Sequence, residues 1–350
     1  MTAASRRLFL QIASASGASL GTGAVAAATP ARPVLTPRRL RPGDTVGLVS
    51  PANATYEQEP ITIAIESLQA LGFQVKEGRH LRARRGQFAG TDAQRAEDIN
   101  AMFADDSVAG IFALTGGSGC TRIVDQLDYA SIRRHPKFFG GFSDITCLLN
   151  AIQQQTGLVT FHGPVASSEW NPYSVANFRA LVMDGQAALL RNPVDSAPAG
   201  LVPTEHRIAT LRPGKATGRL VGGNLTVLAA LAGSRYWPDF RGAILFLEDI
   251  NEFIYRVDRT LSTLRLAGAL DALAGVVLGQ FTNCEPGDGY GTLTLDEVFE
   301  DYFGGLGVPV YRGAQFGHVR LKLTLPVGAM VEMDAQAGTL RCLAPVVAST

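Results

Sequence analysis

Apolar and polar positions follow a repeating rhythm over residues 45–163. Short apolar runs suited to buried strands lead into stretches with helical spacing. Residues 45–50 (TVGLVS) form the first run, closed by Pro51. Residues 61–71 have helical spacing and end at Gly72, and 73–76 form a short strand. Residues 92–103 read as an amphipathic helix with an acidic start. The apolar run 110–114 enters Thr115-Gly116-Gly117-Ser118-Gly119, followed by a helix over 120–127. The run 138–142 leads straight into Ser143. A helix over 144–155 then carries Leu148, Leu149 and Ile152 on one face, and 158–161 is strand-like. Repeated strand–loop–helix units predict a mostly parallel, Rossmann-like sheet with flanking helices, an α/β domain over residues 43–165.

The rhythm then changes. Residues 166–214 are richer in Pro, Asn and Ser and read as a linker with one helix over 174–183. From Lys215 the signals resume with Gly218-Arg219-Leu220-Val221-Gly222-Gly223-Asn224 and a helix to Ala232. A strand over 243–247, a helix over 256–269 and a buried strand over 275–281 follow. Short strand signals with Gly and Pro breaks continue from Pro309. Residues 215–350 are expected to form a second, α+β domain.

The first 28 residues differ in kind. Ser5-Arg6-Arg7-Leu8-Phe9-Leu10 precedes a mildly apolar Ala/Gly/Ser stretch that ends in Ala24, Val25 and Ala26. This is the pattern of a twin-arginine export signal, which predicts a periplasmic protein with a leader over residues 29–42. Loss of the signal would remove Arg6 and Arg7 and no acidic residue, leaving a formally neutral chain faintly acidic. Without a basic surplus, nucleic acid is not an expected partner. Beyond the signal no apolar run has membrane-spanning length. The cysteines Cys120, Cys147, Cys284 and Cys342 are widely spaced, which argues against a zinc or thioredoxin-type motif. They fit either one disulfide or buried thiols.

Two predicted strand ends carry unusual chemistry. At Phe142-Ser143-Asp144 a strand gives way at once to a helix, as in a nucleophile elbow, but Ser143 equally resembles a helix N-cap. The glycines at 116, 117 and 119 would let backbone N–H groups face an anion, as a phosphate cradle or an oxyanion hole, or would simply form a tight turn. No lysine follows for a phosphate loop, so the N–H groups of Gly117 and Asp144 are oxyanion candidates. Glu248 ends the apolar run Leu245-Phe246-Leu247, with Asp249 and Glu252 as rival carboxylates. Among the histidines, His80, His135 and His206 read as surface residues, while His162 and His318 remain open as a base. Asn224 fits a substrate contact or the cap of the following helix.

Together these segments resemble the LD-carboxypeptidases, the serine peptidase family that includes the microcin C immunity peptidase. The similar segments are GLVSPA (47–52), the glycine loop at 113–119, GGFSDIT (140–146), FHGP (161–164), GGNL (222–225), FLED (246–249) and FGH (316–318), in order over about residues 43–345. The resemblance implies a triad of Ser143, Glu248 and His318, a site between two domains and a homodimer. It implies no metal or other cofactor. The expected reaction is hydrolysis of an L,D-amide bond, releasing D-alanine from a murein tetrapeptide. Alternatives are an amidase acting on a peptidyl-nucleotide toxin and a non-catalytic muropeptide-binding protein.

Overall fold

A computed structural model describes residues 33–194, 201–287 and 291–349. The expected export signal lies outside the described residues. Residues from Pro33 onward form a compact unit with two sheets.

The first sheet contains β1 (Thr45–Val49), β2 (Gln74–Glu77), β3 (Val108–Ala113), β4 (Phe138–Gly141) and β5 (Thr160–His162), all parallel to one another. Every residue of β3 and β4 is buried, which is why they read as unbroken apolar runs. Helices α1 (Gln58–Ala70), α2 (Asp92–Ala104), α3 (Tyr129–Arg134) and α4 (Thr146–Thr156) connect the strands. Local chemistry fixes their ends. Thr91 and Gln94 form a reciprocal capping box on α2, and Gly157 ends α4 at φ +81°.

The region read as a linker carries α5 (Pro172–Phe178), which passes into a π-helical turn over Arg179–Met183. It also supplies β6 (Leu189–Arg191) and β7 (Ala209–Arg212), the two edges of the second sheet. Between them lie β8 (Lys215–Asn224), β9 (Ala243–Ile250), β10 (Gly275–Thr282), β11 (Val310–Arg312), β13 (Met330–Asp334) and β14 (Thr339–Cys342). Strands β8 to β11 are parallel, with antiparallel strands on both sides. Helices α6 (Leu225–Ala229), α7 (Ile254–Leu266) and α8 (Leu295–Phe299) complete this half. The late strand β12 (Leu325–Val327) crosses back and pairs antiparallel with β5 in the first sheet. The architecture is the expected mixed α/β one.

One local expectation fails. Residues 120–127 form 3₁₀ turns over Cys120–Arg122 and Val124–Gln126 instead of an α-helix. The glycine-rich segment before Asn224 is the inner end of β8. All four cysteines are free and buried.

Strand β8 ties the two sheets together beside the site. Asn224 N–H donates to Thr146 Oγ1 at 3.0 Å, and Asn150 Nδ2 donates to the Gly222 carbonyl at 2.8 Å. Both partners lie on α4, the helix that follows Ser143. A Cβ on Gly223 would come within 2.5 Å of Thr146, so only glycine permits this approach.

Candidate active site

Ser143 leaves β4 at φ +62°, in the left-handed region that non-glycine residues rarely occupy. Its hydroxyl caps no helix end. Oγ instead lies 3.0 Å from His318 Nε2, and His318 Nδ1 lies 2.8 Å from Glu248 Oε2. Glu248 is an acceptor when ionised, so the geometry assigns the proton to Nδ1 and leaves Nε2 to accept from the serine hydroxyl. Glu248 is fully buried in β9, while the His318 side chain keeps 16% of its surface exposed. The relay thus runs from a dry carboxylate to a wetted hydroxyl. That arrangement suits acyl transfer, because the imidazole can take the serine proton while the carboxylate holds its orientation.

The rivals are engaged elsewhere. Asp249, on the opposite face of β9, accepts from Asn224 Nδ2, Thr226 Oγ1, Thr226 N–H and Ile250 N–H, and burial pushes its pKa up to about 6. Glu252 pairs with Arg256 at 3.6 Å. His162 is fully buried on β5, and neither ring nitrogen has a hydrogen-bond partner. Asn224 caps α6 by accepting from Val227 N–H at 3.1 Å, and its other end bonds Asp249 at 2.9 Å.

The glycine loop lies against the serine. A Cβ on Gly116 would sit 2.8 Å from Ser143 Cβ, and Gly117 holds φ +124° where an added Cβ would fall 2.2 Å from Asn53 Cγ. Sequence reasoning missed the ties that set this loop. Asn53 N–H donates to the Gly116 carbonyl at 3.3 Å, and Asn53 Oδ1 accepts from Ser118 N–H at 3.0 Å and Ser118 Oγ at 3.2 Å. Arg95, 1% exposed, donates to the carbonyls of Pro51 at 2.6 Å and Gly119 at 3.0 Å. Asp144 accepts from Cys120 N–H at 2.8 Å, and its burial raises its pKa. Asn53 follows β1 at the carboxyl end of the parallel sheet, where polar residues commonly serve a site, so its position was a usable signal.

Residues 46–163 match the model of the LD-carboxypeptidase N-terminal domain, and 217–333 match that of the C-terminal domain. The first match contains Ser143, and the second contains Glu248 and His318. A probable murein peptide carboxypeptidase of Bacillus subtilis is 38% identical over 87% of this chain and 92% of its own length. The solved microcin C7 self-immunity protein MccF aligns with a TM-score of 0.80 at 27% identity, covering 90% of this chain and all of that one. A muramoyltetrapeptide carboxypeptidase from Oxalobacter formigenes aligns with a TM-score of 0.72 at 28% identity, over 85% of this chain and 97% of its own. A two-sheet α/β fold with these two matched halves defines a serine-type peptidase. The chain belongs to the LD-carboxypeptidase family.

Proposed function

We propose that this protein is a murein-peptide carboxypeptidase that hydrolyses the L,D-amide bond before a terminal D-residue. The hydrogen-bonded line Ser143–His318–Glu248 carries the proposal. Ser143 Oγ attacks the scissile carbonyl as its proton passes to His318 Nε2. The carbonyl oxygen becomes an oxyanion, held by the N–H groups of Gly117 and Asp144. Each such donor typically contributes about 3 kcal/mol of barrier lowering. The C–N bond then breaks as His318 returns the proton to the leaving amine, giving an acyl-enzyme and a free D-amino acid. Water, deprotonated by His318, releases the acyl group and regenerates the serine. Glu248 supports the transient imidazolium throughout. Asn224 holds α6 and Asp249 in place in this scheme.

The test is incubation with a purified murein tetrapeptide. Wild type is expected to release D-alanine, and Ser143→Ala to be slower by a factor on the order of 10⁴ or more with an unchanged thermal melt. Release by Ser143→Ala at the wild-type rate would remove Ser143 from the reaction. The likeness to MccF motivates a second reading, an amidase for peptidyl-nucleotide substrates. Cleavage of an aminoacyl-sulfamoyl nucleoside with the tetrapeptide left intact would favour it.

A further inference from the structure

The relay fixes which side of Ser143 the leaving residue occupies. His318 must protonate the departing amine, so that residue lies beside the imidazole rather than beside the glycine loop. In a carboxypeptidase substrate the leaving residue ends in a free carboxylate, whose carbon sits about 2.5 Å from the amine nitrogen. A negative charge therefore arrives close to the imidazole, and something on that side must receive it.

The imidazole side of the site has one wall in Phe142, whose ring centre is 4.9 Å from that of His318. Over the same ring, 4.8 Å from its centre, lies the ammonium of Lys322. Lysine is rarely buried without a partner, yet Lys322 is only 8% exposed. The Val319 carbonyl takes one of its three N–H donors. The neighbouring cation, Arg320, is exposed and directs its Nε to the Glu169 carboxylate at 2.7 and 2.8 Å. Its charge is already matched. Among the described residues, Lys322 is thus the unmatched cation that shares the Phe142 ring with His318. Burial also lowers its pKa, so an arriving carboxylate would offset hydration that the ammonium has already lost.

We propose that Lys322 is the receptor for the terminal carboxylate of the leaving residue, and so makes the site a carboxypeptidase rather than an endopeptidase. This rests on the carboxypeptidase reading above. The ammonium, held over Phe142 and by Val319, presents its other N–H donors to the carboxylate and draws the scissile bond toward Ser143.

The test compares a murein tetrapeptide ending in D-alanine with the same peptide ending in D-alanine amide. Wild type should favour the free acid by 10²-fold or more in kcat/KM. Lys322→Met, which keeps the apolar stem over Phe142, should lose at least tenfold of that preference, mainly through a higher KM for the acid. Its rate on the amide should stay within threefold of wild type. Lys322→Gln should behave alike and serves if the Met variant folds poorly. Equal slowing on both peptides would overturn the proposal and assign Lys322 to electrostatic support of Glu248. An intact acid preference in either variant would overturn it as well. A wild type inert toward both peptides would overturn the carboxypeptidase reading together with this one.

Discussion

At the scale of single residues, the site depends on backbone positions that tolerate no side chain. Gly317, directly before His318, holds φ +93°. A Cβ there would lie 2.5 Å from Glu248 Oε2 and 2.7 Å from Glu248 Cβ and Cγ. Glu248 is fully buried in a strand and cannot swing aside. Gly317→Ala therefore combines an unfavourable dihedral, at about 1–3 kcal/mol, with displacement of the carboxylate that orients the imidazole. We expect kcat to fall by about 10²-fold or more and the melting temperature to drop by several degrees. Gly305→Ala is the control, because its φ is negative and nothing lies within 4 Å of the added Cβ. Steady-state kinetics and thermal melts of both variants decide the matter. Wild-type kcat in Gly317→Ala would show that the Glu248–His318 contact is dispensable.

At the scale of elements, the glycine loop after β3 is held open by a neighbour rather than by its own sequence. Asn53, in the loop after β1, brackets Gly117 by donating to residue 116 and accepting from residue 118. Asn53→Ala should loosen the Gly117 N–H while leaving the relay intact. The expected result is a 10- to 10²-fold loss in kcat with little change in KM and about 1 kcal/mol of lost stability. A kcat within twofold of wild type would detach Asn53 from the loop's function. The elements themselves were legible where periodicity is local. β1 to β5 and α2 appear within about two residues of the apolar pattern, because buried parallel strands and a capped amphipathic helix both write themselves into sequence. Residues 120–127 misled because Ile123, Val124 and Leu127 suit a helix, whereas Gly119 enters at φ +108° and Leu127 is extended. Edge strands β6 and β7 were hidden because they pair with the distant β14 and β11. Ser143 and Glu248 stood out as polar residues at strand ends. His318 did not, since its loop has no periodic signal, and only the family resemblance chose it over His162. The burial of Lys322 had no sequence signature at all.

At the scale of the whole molecule, the seam between the sheets contains a buried base that the proposed chemistry does not use. His162 pairs in register with Gly141 of β4 and Leu325 of β12. Its ring meets Phe142, Phe246 and Phe316 at centroid distances of 6.2, 5.3 and 6.1 Å, so residues from three separate stretches of chain enclose it. Burial first, then the neighbouring His318 and Lys322, lower its pKa to about 3. An unfolded histidine has a pKa near 6.5. As pH falls below about 6.5, the unfolded chain takes up a proton at this residue and the folded chain does not. The stability His162 permits is thus fully present above about pH 6.5 and is lost toward pH 3, by up to about 1.4 kcal/mol per pH unit. Asp249, pushed up to about 6, and Asp144 and Asp98, both raised by burial, act in the opposite sense as they protonate early in the folded state. The wild-type profile sums these effects, so the informative quantity is the difference between two proteins. His162→Leu removes the buried base and its two unpartnered nitrogens at similar volume. Measured by denaturant unfolding, the variant should match or exceed wild type at pH 7, and its advantage should grow by about 2 kcal/mol between pH 6.5 and pH 4.5. Its kcat at neutral pH should stay within a few-fold of wild type, because Ser143, His318 and Glu248 are untouched. Parallel stability curves would mean that His162 takes up its proton in the folded state, through an opening of the seam.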